Sequence, residues 1–159
     1  MEVLPSGDTP GYQEAASNIL NGYQVINFRV PVYPLLLILT GSVNKISGSL
    51  FYLQYLLYFC SVWLVVMAMI KRNINLKLVT AVTIILVSPL LVKIVFLALT
   101  EAVAFSLVNI FFASFILLNR RFKFLFLGLI AATLTLTRPS FQLTGLLITL
   151  LFFFLRKKA

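Results

Sequence analysis

Glu101 is the residue whose surroundings most need a chemical explanation. It lies in the stretch VFLALTEAVAF, Val95 to Phe105, and the nearest preceding charge is Lys93. A carboxylate at membrane depth is unfavourable unless it faces a cavity, water or a charged partner. Glu101 therefore either meets the dipole in the first turn of a following helix or lines a water-filled cavity that it shares with Asp8.

Arg138 raises the same question with the opposite charge. The segment TRPS, Thr137 to Ser140, interrupts an apolar run that extends from Phe124 to Leu155. Arg138 is either an interface anchor beside a helix-breaking proline or a phosphate ligand near the lipid headgroups, because guanidinium binds phosphate well. Arg29 and Lys93 are weaker candidates for the phosphate, and Arg29 also fits an interface residue whose stem lies along lipid.

The elements that must position these residues are those of a membrane protein. Apolar residues make up 61% of the 159 and charged residues 11%, whereas soluble domains are about 45–50% apolar and about 25% charged. The mean hydropathy is +1.05. We therefore predict an all-α, polytopic helical membrane protein that contacts lipid. The sequence contains no histidine, which removes histidine-based catalysis and the commonest zinc ligand.

The net charge of +9 comes largely from small groups of cations at the ends of apolar runs. The groups are Lys71, Arg72 and Lys77; Arg120, Arg121 and Lys123; and Arg156, Lys157 and Lys158. This pattern is typical of short cytoplasmic loops. A nucleic-acid-binding surface would carry cations and aromatic residues on one polar face. The sequence offers no such face, so we expect no nucleic-acid partner.

The lengths of the apolar runs predict about five transmembrane helices. Leu50 to Ile70 is one complete span. The 41 residues from Leu78 to Leu118 would form a helix about 60 Å long, twice the ~30 Å bilayer core, so they must turn once. SPLLVK, Ser88 to Lys93, predicts that turn between helices at about 76–90 and 100–118.

A second predicted hairpin turns at Arg138-Pro139. Its first limb starts at Arg120–Phe122 and its second ends at Leu155. The grouped cations then share one side of the membrane, and the other side receives Glu2, Asp8, Glu14, Glu101, Arg29, Lys45, Lys93 and Arg138. We predict a multi-pass protein of the cell inner membrane whose basic loops are cytoplasmic and whose acidic loops are extracytoplasmic.

Residues 1–159 are predicted to form a single membrane domain. Residues 1–49 would supply an extracytoplasmic loop and an outer-face juxtamembrane helix, and residues 50–158 the five spans. A short helix is predicted from about Pro10 to Leu20. VPVYPLLLILTG is too short to span a bilayer and is predicted to be a juxtamembrane or re-entrant helix.

Two further patterns predict packing and anchoring rather than chemistry. Small residues recur at four-residue spacing, which favours helix packing. Tyrosines crowd the start of the first span, which favours interface anchoring. The small residues are Gly128/Ala132 and Ala98/Ala102/Ser106, and the tyrosines are Tyr52, Tyr55 and Tyr58.

Three motifs in order resemble a known family. The first, GDTPGYQEAASNI followed by FRVPVYPLLL, contains Asp8, Tyr12, Ala15, Arg29, Pro31, Tyr33 and Pro34. The second is VSPLL followed by LTEAVAF, and the third is GLIAATLTLTRPSF. Together they resemble two outer loops and a glycine-rich helix of the GT-C glycosyltransferases, and more closely the group related to dolichyl-phosphate-mannose–protein mannosyltransferases.

The resemblance implies transfer of a sugar from a polyprenyl-phosphate carrier to an acceptor at the outer membrane face. An acceptor hydroxyl is a weak nucleophile, so Asp8 would act as general base. Cations would stabilise the charge of the leaving lipid phosphate. Glu101 would orient Asp8, the acceptor or a cation. The candidate catalytic residues are therefore Asp8 and Glu101, and the candidate substrate-binding residues are Arg138, Arg29, Lys93 and Tyr33.

The resemblance leaves the cofactor and two other functions open. Two carboxylates could hold a divalent metal, although the sequence does not require one. Family members begin with a membrane helix before the aspartate loop and run several hundred residues, so we expect an N-terminal piece of such an enzyme. A second acid beside Asp8 is also missing. The alternatives are a small transporter or flippase subunit, with Glu101 and Arg138 lining a pathway, and an inactive truncated membrane protein.

Overall fold

The computed structural model describes residues 4–5, 7–23, 30–95, 97–98, 100–118 and 120–138. The described helices are α1 (Thr9–Leu20), α2 (Val32–Leu39), α3 (Gly48–Lys71), α4 (Leu76–Leu86), α5 (Pro89–Val95), α6 (Thr100–Leu117) and α7 (Arg120–Thr135). Two short strands, β1 (Leu4–Pro5) and β2 (Leu97–Ala98), pair in parallel. The predicted fifth span lies outside the described residues.

Three helical stretches in the described part are long and apolar enough to cross a membrane. They are Gly48–Lys71, Leu76–Lys93 and Thr100–Leu117, and a shorter apolar helix covers Lys123–Thr135. The chain is therefore a helical membrane protein, as its composition predicts. The predicted helices over residues 10–20, 50–70 and 100–118 are confirmed within two residues at each end, and α2 is the short apolar helix expected before the first span.

The core of the bundle is the parallel pair α3 and α6. Near their starts, Leu50 of α3 and Val103 of α6 are buried in one cluster. Near their ends, Val65 and Ala113 share another. Small residues allow this close approach: Ala102 and Ser106, predicted to pack, are buried on α6.

The return helix is broken where the sequence analysis predicts a turn, but the chain does not reverse there. α4 ends at Leu86, and α5 begins at Pro89 and continues through Lys93. Proline lacks the amide hydrogen that an interior helix position needs, yet it fits the first helical position, so the helix restarts at once. The predicted apex over Ser88–Lys93 is therefore wrong, since Lys93 lies in α5 and the connection to α6 follows Val95.

α7 packs antiparallel to α6 through one apolar face. Leu127 and Ile130 of α7 are buried against Phe111 of α6. The helix then closes with a turn in which the Thr137 hydroxyl donates to the Thr133 carbonyl at 2.7 Å. Gly128 is exposed, so the small-residue pattern on α7 does not mark its packed face within the described bundle.

Three helix ends share one capping geometry. Gly22, Gly41 and Asn73 have positive φ values of 70°, 65° and 53°. At each end the next amide donates five residues back, as in Ser42 N to the Leu37 carbonyl at 2.8 Å. Glycine or asparagine suits this left-handed position. The caps end α1, α2 and α3, and Gln13 of α1 also donates to the Ser42 carbonyl after α2.

Polar contacts tie α3 to its neighbours inside the bundle. Asn109 Nδ2 donates to Ser61 Oγ at 3.1 Å, and both residues are buried. The Tyr58 hydroxyl donates to the Leu86 carbonyl at 2.6 Å. Tyr58 is therefore a buried link between α3 and α4, and the prediction that it anchors the interface is wrong. Tyr52, with 73% of its surface exposed, remains suited to that role.

Candidate functional site

The candidate site lies at the end of the bundle where α6 begins and α7 ends. The β1–β2 pair joins Pro5 to Ala98 in parallel register, and α1 begins four residues and α6 two residues after the pair. The Val32 amide donates to the Leu136 carbonyl at 3.2 Å, which fixes the start of α2 to the end of α7. Four chain segments that are distant in sequence therefore meet at this end.

Glu101 and Arg138 form an ion pair at this end. Nη1 of Arg138 donates to Oε1 of Glu101, although the two residues are 37 positions apart. The Glu101 side chain is 26% exposed and the Arg138 side chain is 35% exposed. The pair is thus partly buried and partly exposed. Glu101 also lies in the first turn of α6, where its negative charge suits the helix dipole.

Thr100 fixes the second oxygen of the carboxylate. Its hydroxyl donates to Glu101 Oε2 at 3.2 Å, and the residue is only 4% exposed. Each carboxylate oxygen of Glu101 therefore accepts one hydrogen bond, from Thr100 and from Arg138. This arrangement restricts the orientation of the carboxylate.

Tyr33 belongs to a buried wall near the start of α6, in a cluster that also includes Val103. Its ring contacts that of Tyr12 edge to face, with centroids 5.1 Å apart. Its hydroxyl accepts a hydrogen bond from Gln54 Nε2 at 3.3 Å. Tyr33 and Gln54 are 0% and 1% exposed, so α1, α2 and α3 all contribute to this wall.

The environment of Tyr33 keeps its hydroxyl protonated. Burial raises the pKa of this hydroxyl well above its usual value, because the charged phenolate would lose its hydration. The hydrogen bond from Gln54 lowers the pKa, and the negative charge of Glu101 raises it. The influence of Glu101 indicates that the carboxylate and the phenol belong to one electrostatic environment. Tyr33 can therefore act as a neutral hydrogen-bonding group and not as a base.

Of the six predicted site residues, the structure brings Glu101 and Arg138 into contact, and Tyr33 interacts electrostatically with Glu101. Asp8 precedes α1, is exposed, and makes no capping hydrogen bond to the helix. Lys93 is exposed in the last turn of α5. The remaining predicted residue, Arg29, lies outside the described residues.

The arrangement offers an acid–cation pair rather than a metal centre. Within the described ranges, histidine, cysteine, aspartate and glutamate form no group of three or more that could hold a metal ion. A guanidinium next to a carboxylate can bind an oxyanion, and the carboxylate can accept a proton or a hydroxyl hydrogen bond. Transfer of a group from a phosphate leaving group to a hydroxyl requires both of these functions.

Sequence reasoning found both members of the ion pair but not the pairing or its support. Only two residues separate α6 from α7. Counting the same number of residues back along α6 and forward along α7 therefore places Glu101 level with the residues that follow α7. That count could have predicted the pair. Gln54 was missed, although an amide in the apolar run LFYLQYLL was a signal, because polar side chains inside spans usually face protein.

Comparison with known proteins gives no match to any family model, curated protein or solved structure. The resemblance to GT-C glycosyltransferases therefore stays a prediction that depends on the three motifs.

Proposed function

We propose that this chain acts in sugar transfer from a polyprenyl-phosphate carrier to an acceptor hydroxyl at the outer face of the cell inner membrane, as a glycosyltransferase of the GT-C type. The observation that supports it most is the accessible Glu101–Arg138 pair beside the buried Tyr33 wall. A partly buried ion pair adds little net stability once desolvation is counted. A functional role therefore explains its presence better than a structural one.

In the proposed reaction, Asp8 accepts the proton of the acceptor hydroxyl. The acceptor oxygen then forms a bond to the anomeric carbon of the sugar, and the bond from that carbon to the carrier phosphate oxygen breaks. The bonding electrons remain on the phosphate, whose growing negative charge Arg138 stabilises. Glu101 orients the acceptor hydroxyl, and Thr100 orients Glu101.

The proposal also includes a membrane orientation with five spans. Among the described residues, Lys71, Arg72, Lys77 and Lys123 lie where α3 and α6 end and α4 and α7 begin, and Glu101 lies at the opposite end. Under the positive-inside rule the basic end faces the cytoplasm. The ion pair then faces outwards, at the level of the carrier headgroup.

The proposal is tested by reconstituting the full 159-residue chain into lipid nanodiscs that contain a polyprenyl-phosphate-linked sugar. Polyprenyl phosphates bearing a radiolabelled hexose or pentose serve as donors, with a membrane extract as the source of acceptor. We expect release of free polyprenyl phosphate and movement of the label to the acceptor, compared with protein-free discs. If the donor stays intact with every sugar tested, the proposal is wrong.

A separate arm distinguishes transfer from transport. The same chain is placed in sealed vesicles that contain the donor. An oxidant outside the vesicles reacts only with donor whose sugar is exposed on the outer side. Protein-dependent movement of intact donor across the bilayer, without cleavage, would favour the flippase alternative over sugar transfer.

A further inference from the structure

We propose that the Glu101 carboxylate occupies the anion-binding position at Arg138, as an internal substitute for the phosphate of the lipid carrier. The carrier phosphate displaces this carboxylate when the carrier binds. This inference rests on the proposed function, because it takes the polyprenyl phosphate as ligand. It adds that the resting site is closed by its own carboxylate. Opening the pair would free Glu101 to accept a hydrogen bond from the acceptor hydroxyl.

The chemistry of the two anions supports an exchange at one guanidinium. Carboxylate and phosphate are the groups that the guanidinium fork recognises with paired hydrogen bonds. The bond to Glu101 uses Nη1 of Arg138, and a guanidinium carries five N–H donors in all. An incoming phosphate can therefore engage Arg138 before Glu101 leaves.

The position of the pair allows a ligand to reach it. The Arg138 side chain is 35% exposed and the Glu101 side chain is 26% exposed, so neither is fully buried. Arg138 follows the last turn of α7, and its amide bonds back to the Leu134 carbonyl at 3.3 Å. The backbone is thus held while the long side chain can change partner.

Thr100 and Tyr33 make the displaced state of Glu101 tolerable. The Thr100 hydroxyl remains as donor to Oε2, so Glu101 keeps one hydrogen bond without Arg138. The protonated Tyr33 carries no charge that would repel the carboxylate. Released polyprenyl phosphate is a monoester with about −1.5 to −2 charge at neutral pH, more than a carboxylate, and this difference favours it at Arg138. The sugar-linked donor is a diester with one negative charge, which matches the charge of the carboxylate it displaces.

The exchange is tested by binding, without any sugar transfer. The full chain in phosphatidylcholine nanodiscs is titrated with polyprenyl phosphate. Because a partly exposed ion pair is worth little, Glu101→Gln should bind about two- to fivefold more tightly than the unaltered chain. Arg138→Gln should bind at least about tenfold more weakly. The double variant should bind no more tightly than Arg138→Gln alone.

Matched controls and a second ligand make the result decisive. Glu14→Gln removes an acid of α1 outside the pair and should leave the affinity unchanged. Glu101→Asp, which shortens the reach to Arg138, should also tighten binding and serves if Glu101→Gln does not fold. Inorganic phosphate replaces the lipid in a parallel titration. Tightening with inorganic phosphate alone would assign the site to a free anion and overturn the lipid ligand.

Failure of the exchange and failure of the proposed function are separable. If Glu101→Gln and Glu101→Asp bind polyprenyl phosphate no more tightly than Glu14→Gln, the exchange is wrong, whatever the transfer assay gives. If the predicted affinity changes occur without sugar transfer, the exchange holds and the transferase proposal falls.

Discussion

The two ends of the helical bundle place their arginines against different partners. Where α3 and α6 end, Arg72 donates from Nε and Nη2 to the Ile116 carbonyl at 3.1 and 2.7 Å. The neighbouring Lys123 Nζ lies 3.9 Å from the centroid of the Phe115 ring. At the opposite end, Arg138 meets a carboxylate, Glu101.

The difference separates a structural arginine from one suited to binding. The last carbonyls of a helix have no partner within the helix, and a cation there also suits the dipole. Arg72 thus completes α6 and needs no acid. Arg138 instead uses an acid that could be exchanged for another anion. Two hydrogen bonds to one backbone carbonyl hold Arg72 at the basic end, whereas an ion pair holds Arg138 at the other end.

The largest effect expected from this comparison is a difference in how far the two ends of the bundle react with a reagent added outside the cell. Cys60→Ala first removes the native thiol. A single cysteine then replaces either Lys45 at one end or Lys77 at the other end, and both positions are exposed. A membrane-impermeant thiol reagent added to intact cells should label Lys45→Cys and not Lys77→Cys, because the proposed orientation places the basic end in the cytoplasm. The reverse pattern would invert the orientation, and labelling of both would exclude it.

Next in size is the effect of removing the proposed base. Asp8→Asn keeps the shape of the side chain and loses its proton affinity, so the rate of sugar transfer should fall about 10²–10⁴-fold. Membrane insertion should not change. Glu14→Gln on the same helix should transfer at the normal rate. Near-normal transfer by Asp8→Asn would remove Asp8 from the catalytic role.

Substituting the two arginines compares the ends directly. Arg138→Gln should lower the transfer rate about 10²–10³-fold, as expected for loss of one group that stabilises a developing anion. Arg72→Gln should lower the unfolding free energy by about 0.5–1 kcal/mol through loss of the helix-end contact, with normal transfer per folded molecule. Transfer rates and melting temperatures of both variants check this, and equal losses of transfer would abolish the distinction.

The smallest effect is expected inside the bundle, away from both ends. Asn109→Leu removes the hydrogen bond to Ser61 and keeps a similar volume. Hydrogen bonds between membrane helices average about 0.6 kcal/mol, so the unfolding free energy should change by less than about 1 kcal/mol. Transfer should be unaffected. A loss of several kcal/mol in a folding titration would mean that the α3–α6 interface depends on this polar contact.

The sequence predicts the long helices well because apolar length and terminal charge determine them. Leu50–Ile70 and residues 100–118 differ from α3 and α6 by two residues or fewer at each end. Pro89 misled the prediction, since a proline can restart a helix as readily as end one. The burial of Tyr58 was also not predictable locally, because its partner is a carbonyl of α4 28 residues away.

For the site, the sequence indicates which side chains require a partner but not which partner they take. Glu101 and Arg138 stand out because charge is rare in these apolar runs. Their contact depends on how α6 and α7 pack, and the contribution of Tyr33 depends on how α2 meets the end of α7. The role of Asp8, the sugar and the acceptor stay predictions.

The measurement that most directly tests the account is the transfer rate of Glu101→Gln together with its melting temperature and its KM for the donor. If Glu101 serves the site, the rate at saturating donor should fall at least tenfold and KM should fall, because Arg138 becomes available to phosphate while the acceptor loses its orienting carboxylate. The melting temperature should change little, since the dipole contribution is about 0.3–1 kcal/mol. A variant that melts early, yet transfers normally per folded molecule, would make Glu101 a structural helix cap and contradict the account.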